Sequence, residues 1–401
     1  MPTRYQRTLN CTSATSQLQS LEYRYKVRLF ICLLSDAFRR VCLGIEVAKQ
    51  NQGKSVIMSA FSVLPPLAQL AFGSVGESHD ELLKAIGFPN DNVTKQVFES
   101  INAKLRAVKG VDLRMANRIY IAKDAELNPD FAQVSRNVFN SDVKNIDFSE
   151  NQKTASEVNA WVEEQTNNKI KDLVDPQSLD ASTRALLVNA IYFKGSWKYP
   201  FDKLGTTDAD FHVTKDKTIK VPTMHKSATY RYGESTELDA KLLELPYEGG
   251  ESYFLIVLPN KIDGLKDLEE KLKNPTVLAN AVQDMYSTEV KVSLPKFKIE
   301  TTTNLKEILQ KIDVTRLFDA SKAKLDNLLS KESNLFISEA IQKAFIEVNE
   351  EGAEAAAANA YIYSKSAFLD TDPTELFEVE HPFYYELRFK NDTLFSGLHF
   401  S

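Results

Sequence analysis

The chain has 401 residues, a formal net charge of -6, 43% hydrophobic residues and 26% charged residues. These proportions are typical of a globular protein and exclude a fibrous or low-complexity chain. The lysines and arginines are dispersed, so no basic surface that would bind nucleic acid is predicted. No apolar run approaches the roughly 20 residues that a membrane-spanning helix needs, so we expect no membrane partner.

The first 44 residues differ from the rest of the chain. Cys11, Cys32 and Cys42 all lie there, so the body of the protein is predicted to fold without disulfides. An apolar run from Val27 to Leu34 follows basic residues, but it lies too far from the start for an ordinary secretory signal. We expect residues 1–44 to form an atypical, poorly ordered segment and residues 45–401 to form a single domain.

Helices and strands are mixed along this body without a regular βαβ rhythm. Hydrophobic periodicity with capping and stop residues predicts helices over 77–86, 129–139 and 155–166. Runs of apolar or alternating residues predict strands over 113–122, 186–193, 252–258 and 341–348. The alternation changes phase at Pro295-Lys296, which predicts a β-bulge. Elements mixed in this way predict an α+β fold.

No sequence signature of an enzyme active site is visible. The chain lacks a Gly-x-Ser-x-Gly elbow, a His-Glu-x-x-His motif, a Walker loop and a Cys-x-x-Cys pair. Its histidines have no spacing that suits a metal site; they are His79, His212, His225, His381 and His399. We therefore expect no enzyme activity, no cofactor and no bound metal.

One alanine-rich segment follows the strand predicted over 341–348. It begins with Glu350, Glu351 and Gly352 and continues with Ala353, Glu354, Ala355, Ala356, Ala357 and Ala358. Local propensity favours a helix or an exposed linker here. However, the segment has no apolar stripe with which a helix could dock. Its small side chains would also allow it to slide between two existing strands.

This segment resembles the proximal hinge of the reactive loop in inhibitory serpins, which are suicide inhibitors of serine proteases. Further motifs stand in the order of that family: Ser59-Ala60-Phe61-Ser62, the stretch from Leu187 to Trp197, Val221-Pro222-Thr223-Met224, His381-Pro382-Phe383 and Phe395-Ser396-Gly397. The resemblance runs from about Lys49 to Phe400 and is strongest to insect, particularly lepidopteran, members. It implies a serpin fold with about three β-sheets, eight or nine helices and an exposed, insertable reactive loop at about 350–380.

In the mechanism that the resemblance implies, a protease cleaves the loop and is acylated by it, and the cut arm inserts as a new central strand of a metastable protein. Alternation would turn Ala353, Ala355 and Ala357 inward and the charged Glu354 outward, so that insertion buries no charge. The alternative from another class is a non-inhibitory serpin that acts as a carrier or storage protein. Such members often have bulky or charged residues where this chain has alanines.

The reactive bond is predicted from the family's spacing. Counting forward from Gly352 gives Ser366-Ala367, and a small residue there suits elastase-like or subtilisin-like proteases. Lys365 would attract trypsin-like proteases if cleavage fell one residue earlier. Phe368 would attract chymotrypsin-like proteases if it fell later. The partner is therefore a serine protease of unspecified class, acting on a serpin monomer.

A second set of residues matches family positions beneath the sheet that must open. Ser59, Ser62 and Asn189 match a hydrogen-bonded cluster in which the family commonly has a histidine, and Gln342 stands in its place. Glutamine donates and accepts hydrogen bonds like neutral histidine, but it does not titrate near neutral pH. Trp197 matches the top of that sheet, where insertion begins, and is equally suited to a core position.

The resemblance also implies an extracellular location, although no signal peptide is evident at this N-terminus. Either the native N-terminus differs from this one, or a secretion signal has been lost. Asn10, Asn92 and Asn391 each begin an Asn-x-Ser/Thr sequon, which predicts a glycoprotein.

Overall fold

The structure is a computed structural model that describes residues 53–106, 110–331, 334–352, 374–390 and 392–401, with side chains for all of these except 103–106. Its helices are α1 (Ala60–Gly73), α2 (Gly76–Ile86), α3 (Asp91–Arg106), α4 (Pro129–Phe139), α5 (Asn151–Gln165), α6 (Leu265–Leu272), α7 (Pro275–Gln283) and α8 (Leu305–Lys311). Its strands are β1 (Val56–Met58), β2 (Val111–Ala122), β3 (Asp142–Ile146), β4 (Ala185–Gly195), β5 (Thr207–Thr214), β6 (Lys217–Ser235), β7 (Ala240–Pro246), β8 (Ser252–Pro259), β9 (Tyr286–Pro295), β10 (Phe297–Asn304), β11 (Glu339–Val348), β12 (Glu375–Glu378), β13 (Phe383–Phe389) and β14 (Asp392–His399). The segment predicted over residues 1–44 lies outside the described residues.

A five-stranded sheet has the strand order β10-β11-β4-β2-β3. Its middle pair, β11 and β4, is parallel, with register partners from Glu339↔Leu186 to Ile346↔Phe193. The pairs on either side, β10 with β11 and β2 with β4, are antiparallel. Nearly all of β4 is buried, because the sheet is covered on both faces.

The two covers of this sheet differ. On one face α5 packs against it, with Val158 and Val162 in a buried cluster that includes Phe345. On the other face Ile191 and Ile346 share a buried cluster with residues of a second sheet. The five-stranded sheet is thus the central layer of the molecule.

The second sheet has nine strands in the order β1-β14-β13-β8-β7-β6-β9-β12, and β5 pairs with β6 beside this path. The long strand β6 joins two parts of it. Lys217 to Thr223 pair with β5 and Arg231 to Ser235 pair with β7. The described residues thus form two sheets where the resemblance implies about three, because β6 runs through two parts of the second sheet and connects them.

The α+β fold and the helices and strands predicted from periodicity are confirmed, but the predicted bulge is wrong. β9 ends at Pro295 in the nine-stranded sheet, and β10 begins at Phe297 in the five-stranded sheet. Between them the backbone N–H of Lys296 donates to the carbonyl of Pro222 at 2.8 Å. The alternation changes phase because the chain passes from one sheet to another, which produces the same pattern as a bulge within a single strand.

In the described part of the chain, no helix is both long and apolar enough to cross a bilayer.

Candidate functional site

The residues that leave β11 are held against the chain that follows β4. β11 ends at Val348 and β4 ends at Gly195. The backbone N–H of Trp197 donates to the carbonyl of Glu351 at 3.2 Å, and its indole Nε1 donates to the carbonyl of Asn349 at 2.8 Å. Further along, the N–H of Phe201 donates to the carbonyl of Glu350 at 2.9 Å. These bonds fix the described part of the predicted hinge to the top of the sheet.

Glu350 is clamped through its side chain as well. Only 4% of the residue is exposed, and its Oε1 accepts hydrogen bonds from Thr206 Oγ1 and Lys296 Nζ, both at 2.8 Å. Burial by itself would raise the pKa of Glu350, but the bonds from Lys296 and Thr206 outweigh it and lower the pKa. The neighbouring Glu351 pairs with Lys203. The carboxylates of Glu350 and Glu351 are therefore both held by cations from other segments.

Gly352 has a conformation and surroundings that require glycine. Its φ is +75°, and a Cβ at this position would lie 2.5 Å from the carbonyl oxygen of Gly195 and 2.5 Å from the backbone nitrogen of Trp197. Left-handed φ values carry little cost for glycine alone. The remaining hinge residues, 353–358, and the predicted reactive-bond positions Lys365, Ser366, Ala367 and Phe368 lie outside the described residues.

Trp197 is both a core residue and a contact of the hinge. It is 2% exposed, and its ring stacks on Tyr247 with centroids 4.4 Å apart and planes at 10°. Phe201 meets it edge-on at 6.3 Å. This packing holds the indole N–H towards the carbonyl of Asn349, so the rigid core of the molecule positions the start of the loop.

A small cavity of about 60 Å³ lies where β4 and β11 end. It is lined by Lys169, Tyr192, Phe193, Lys194, Glu347, Asn349 and Gly352. The paired register of β11 and β4 ends beside it, at Ile346↔Phe193.

The polar cluster predicted beneath the sheet is present in the structure. Ser59, Ser62, Asn189 and Gln342 all have no exposed surface. Gln342 Nε2 donates to Asn189 Oδ1 at 2.6 Å and to the carbonyl of Ser59 at 2.8 Å. Its Oε1 accepts from the N–H of Ser59 at 3.2 Å. The glutamine thus uses both ends of its amide to join β11, β4 and the start of α1.

The same cluster extends to residues that the sequence did not indicate. Asn189 Nδ2 donates to Asn117 Oδ1 on β2, so the polar contacts cross three strands of the five-stranded sheet. Ser62 also donates to Asn189, at 2.8 Å. Asn117 stands beside Arg118 in β2, so no local pattern marked it, and only the register of β2 with β4 places it opposite Asn189. Thr206 and Lys296, which hold Glu350, have no local signal because they come from distant parts of the chain.

No metal centre accompanies these residues: within the described ranges, no group of three or more His, Cys, Asp or Glu side chains could hold a metal ion. The site consists of hydrogen bonds and packing between strand ends.

Comparison with known proteins gives a consistent family. The sequence model of the family described as "Serpin (serine protease inhibitor)" matches residues 41–400. The chain is 57% identical to Alaserpin of Manduca sexta over 88% of this chain and 89% of that protein. It is 55% identical to Antitrypsin of Bombyx mori over 88% of this chain and 90% of that protein. The crystal structure of Serpin48 of the insect Tenebrio molitor has a TM-score of 0.84 and 34% identity, covering 93% of this chain and 98% of that one.

Proposed function

This chain belongs to the serpin family, and we propose that it inhibits a serine protease by suicide-substrate trapping. The protease's serine hydroxyl attacks the carbonyl of the reactive residue, and the peptide bond after that residue breaks. The C-terminal part leaves with a new amino terminus, and an acyl ester links the N-terminal part to the protease. The nucleophile belongs to the protease, so the chain itself performs no catalysis and needs no cofactor.

One observation carries the proposal. β11 and β4 are parallel neighbours in the middle of the central sheet, and the hinge leaves β11 beside the end of β4. A segment that turned back at Gly352 and entered between them would run antiparallel to both strands. It would replace one parallel ladder with two antiparallel ladders, which are slightly more stable per residue. The alternation of Ala353, Ala355 and Ala357 supports such an insertion, because it would bury small side chains.

The stored free energy can be bounded. Insertion of a dozen residues adds ladder hydrogen bonds that contribute about 1 kcal/mol each, so about 10 kcal/mol is available before the entropy of ordering the segment is subtracted. The intact loop cannot insert fully while its two ends are tied to the protein. Cleavage removes this restraint, and the native state is therefore held by a kinetic barrier.

The hinge contacts and the buried cluster have distinct parts in this proposal. The bonds from Thr206 and Lys296 to Glu350, together with those from Trp197, hold the hinge in place until the loop is cut. Separation of β11 from β4 must then break the bond between Gln342 and Asn189. We propose that these residues govern how readily the sheet opens.

For the target, we propose cleavage at Ser366-Ala367, with Lys365 and Phe368 as the alternative reactive residues. The small side chain of Ser366 suits a protease with a shallow primary pocket. Similar relatives bear the names Antitrypsin and Antichymotrypsin-2, each at 55% identity, so relatedness alone does not choose between a trypsin-like and a chymotrypsin-like target. The reactive residue must be read from the cleaved product.

The decisive experiment mixes the protein with trypsin, chymotrypsin and elastase and analyses the products on denaturing gels. We expect a denaturant-resistant complex with at least one of them, and none with the same protease after its catalytic serine is replaced by alanine. Mass spectrometry of the released peptide locates the bond: a new terminus at Ala367 assigns Ser366, and one at Ser366 assigns Lys365. Cleavage outside residues 363–369 would contradict the predicted register.

Thermal stability separates inhibition from the carrier or storage alternative. Cleavage in the loop should raise the melting temperature sharply, since an added central strand completes the sheet. A cleaved form that melts at or below the intact form would reject loop insertion and favour the carrier function.

We also propose that residues 45–401 act as one domain and that the protein is a secreted monomer. Asn92 is exposed at the start of α3, which makes its sequon accessible to glycosylation. Release of the peptide-bound sugar by a glycosidase, followed by mass measurement, would test this on protein from the native source.

A further inference from the structure

Large exposed hydrophobic side chains are few in the described structure, and they lie at the two ends of the reactive loop. They are Leu204, which is 93% exposed, and Tyr286 and Leu376, each 52% exposed. Single exposed hydrophobic residues are normal on a protein surface. Here Leu204 lies beside the point at which the chain leaves for the loop, and Tyr286 and Leu376 lie beside its return, so a partner that binds the loop would pass close to them.

Leu204 stands where the chain departs into the loop. Its neighbour Lys203 pairs with Glu351, and Thr206 donates to Glu350. The turn from Lys203 to Gly205 is therefore fixed to the described hinge residues, and its leucine points into solvent from there. An apolar side chain with this exposure contributes nothing to the core.

Tyr286 stands where the chain returns from the loop. It lines a cavity of about 360 Å³ together with Tyr232, Gly233, Glu234, Ala281, Asp284 and Glu375. Glu375 begins β12, which runs parallel to β9, so the chain enters β12 from the side of β9 at which Tyr286 lies. Leu376 follows directly, on the opposite face of the strand.

The charge of this cavity is one-sided. Its lining includes three carboxylates, and no lysine or arginine is among the described residues that line it. Two cations lie close to it: Lys241 is 3.9 Å from Glu234, and Arg231 is engaged by Glu244 and by the carbonyls of Val282 and Met285. A surface of aromatic rings surrounded by carboxylates suits a partner that presents basic side chains, which can pair with the carboxylates and pack on the rings.

We propose that these residues form a docking surface for the target protease, separate from the reactive bond, which contacts a basic surface of the protease on the Tyr286 side and an apolar one at Leu204. We call it the loop-foot surface and define it by Leu204, Glu234, Asp284, Tyr286 and Glu375. The inference rests on the proposed inhibitory function and specifies the chemistry of its partner.

Chain length shows that the protease must reach this surface. From Ala367 to Glu375 the chain can span at most about 28 Å when fully extended. A protease domain of about 200 residues is about 40 Å across. A protease bound at the predicted bond therefore extends past the point where the chain re-enters the protein. It can contact a surface that lies beside that point.

We expect the loop-foot surface to change the rate at which the protease associates, and not the covalent trapping that follows. Charges at the rim of an interface mainly change the association rate and its salt dependence. Loop insertion happens later and at the other side of the hinge, in the central sheet. The association rate should thus depend on these residues, and the number of inhibitor molecules consumed per protease inactivated should not.

The test measures both quantities for the full-length protein with a cationic and an anionic protease of the same cleavage specificity. The double variant Asp284→Asn/Glu375→Gln removes two carboxylates. We expect it to lower the association rate with the cationic protease at least about threefold at low salt and to weaken the salt dependence. Its rate with the anionic protease should not fall. Glu99→Gln/Glu164→Gln, at exposed positions of α3 and α5, also removes two carboxylates and is the matched charge control.

The apolar contacts are tested by paired variants. Leu204→Ser and Tyr286→Ser should each lower the association rate at least about twofold, whereas Leu204→Met and Tyr286→Phe should restore it. Unchanged rates in all variants, with covalent complexes still forming at the same stoichiometry, would overturn the loop-foot surface and leave the inhibitory function intact. Failure of the unmodified protein to form any complex would overturn both. Self-association in size-exclusion chromatography that Tyr286→Ser abolishes, without any effect on the rate, would assign the surface to a second copy of the chain and reject the protease.

Discussion

Gln342 donates a 2.6 Å hydrogen bond to Asn189, and these two residues are register partners in the parallel pair of β11 and β4. The bond lies directly across the seam that loop insertion would open. It is fully buried, so neither partner can turn to water while the sheet is closed. This bond should therefore stabilise the closed sheet, and it should contribute much less to the stability of a sheet that already contains the inserted strand.

Gln342→Leu should destabilise the intact protein by about 2 to 3 kcal/mol, since the buried N–H and carbonyl of Ser59 and the Oδ1 of Asn189 all lose their bonds to the amide. The loop-cleaved protein should lose less, because strand separation has already broken the contact with Asn189. Urea unfolding of both forms measures the difference. Equal losses in the two forms would mean that Gln342 serves the core in general and has no special part in sheet opening.

Gly352→Ala should cost about 3 kcal/mol or displace the hinge, since the new Cβ would meet backbone atoms of Gly195 and Trp197 in addition to the left-handed strain. Gly250→Ala is the matched control. Gly250 also has a positive φ, +68°, but an added Cβ there meets nothing within 4 Å. The control should cost about 1 kcal/mol from φ strain alone. Denaturant unfolding of both variants tests this. Equal losses in the free energy of unfolding would show that the backbone near Gly352 shifts to accommodate the new Cβ at no measurable cost.

Ala353→Arg should turn the inhibitor into a substrate. Its side chain would be the first to face inward during insertion, and burying an unpaired charge costs several kcal/mol. A barrier raised by about 3 kcal/mol changes the partition between trapping and release about a hundredfold. The measurement is the number of inhibitor molecules consumed per protease inactivated. Ala356→Arg, on the face predicted to stay in solvent, should leave that number nearly unchanged, and an equal effect of both variants would refute the predicted alternation.

His399 should make the protein sensitive to mild acid. Burial lowers the pKa of His399 to about 3, and its ring packs 4.4 Å from Phe297. The unfolded chain binds a proton below its ordinary pKa of about 6.5, whereas the folded protein does not until about pH 3, so stability falls as the pH is lowered through this window. At pH 5 the loss is about 2 kcal/mol from this residue.

His399→Phe should remove this part of the pH dependence while keeping the aromatic packing. The free energy of unfolding measured between pH 7.5 and about pH 5 should fall less steeply than in the unmodified protein. A residual slope is expected from His381, because burial lowers the pKa of that histidine too. His212→Gln, at a partly exposed position, controls for the loss of an imidazole. An unchanged slope in His399→Phe would show that the ring is not held neutral in the folded state.

Local features of the sequence determined most elements. Asn128 and Pro129 predicted the start of α4, and in the structure Asn128 caps that helix by accepting from the N–H of Asp130. The apolar run of β4 predicted a strand buried on both faces, as observed. Caps, turns and alternation act over a few residues, so they can be read directly from the chain. The phase change at Pro295-Lys296 misled because alternation does not say to which sheet the next strand belongs.

Some residues of the candidate site were found from the sequence, and others only from the structure. The hinge motif and the positions of Ser59, Ser62, Asn189, Trp197 and Gln342 came from resemblance to a family. Tertiary structure alone supplied Thr206, 144 residues from Glu350, and the third strand of the polar cluster at Asn117. Only the folded chain brings Leu204 and Tyr286 to the two ends of one loop. A sequence specifies the conformational preferences of neighbouring residues, whereas contacts between distant segments depend on how the sheets pair and pack, and no local pattern encodes those distances.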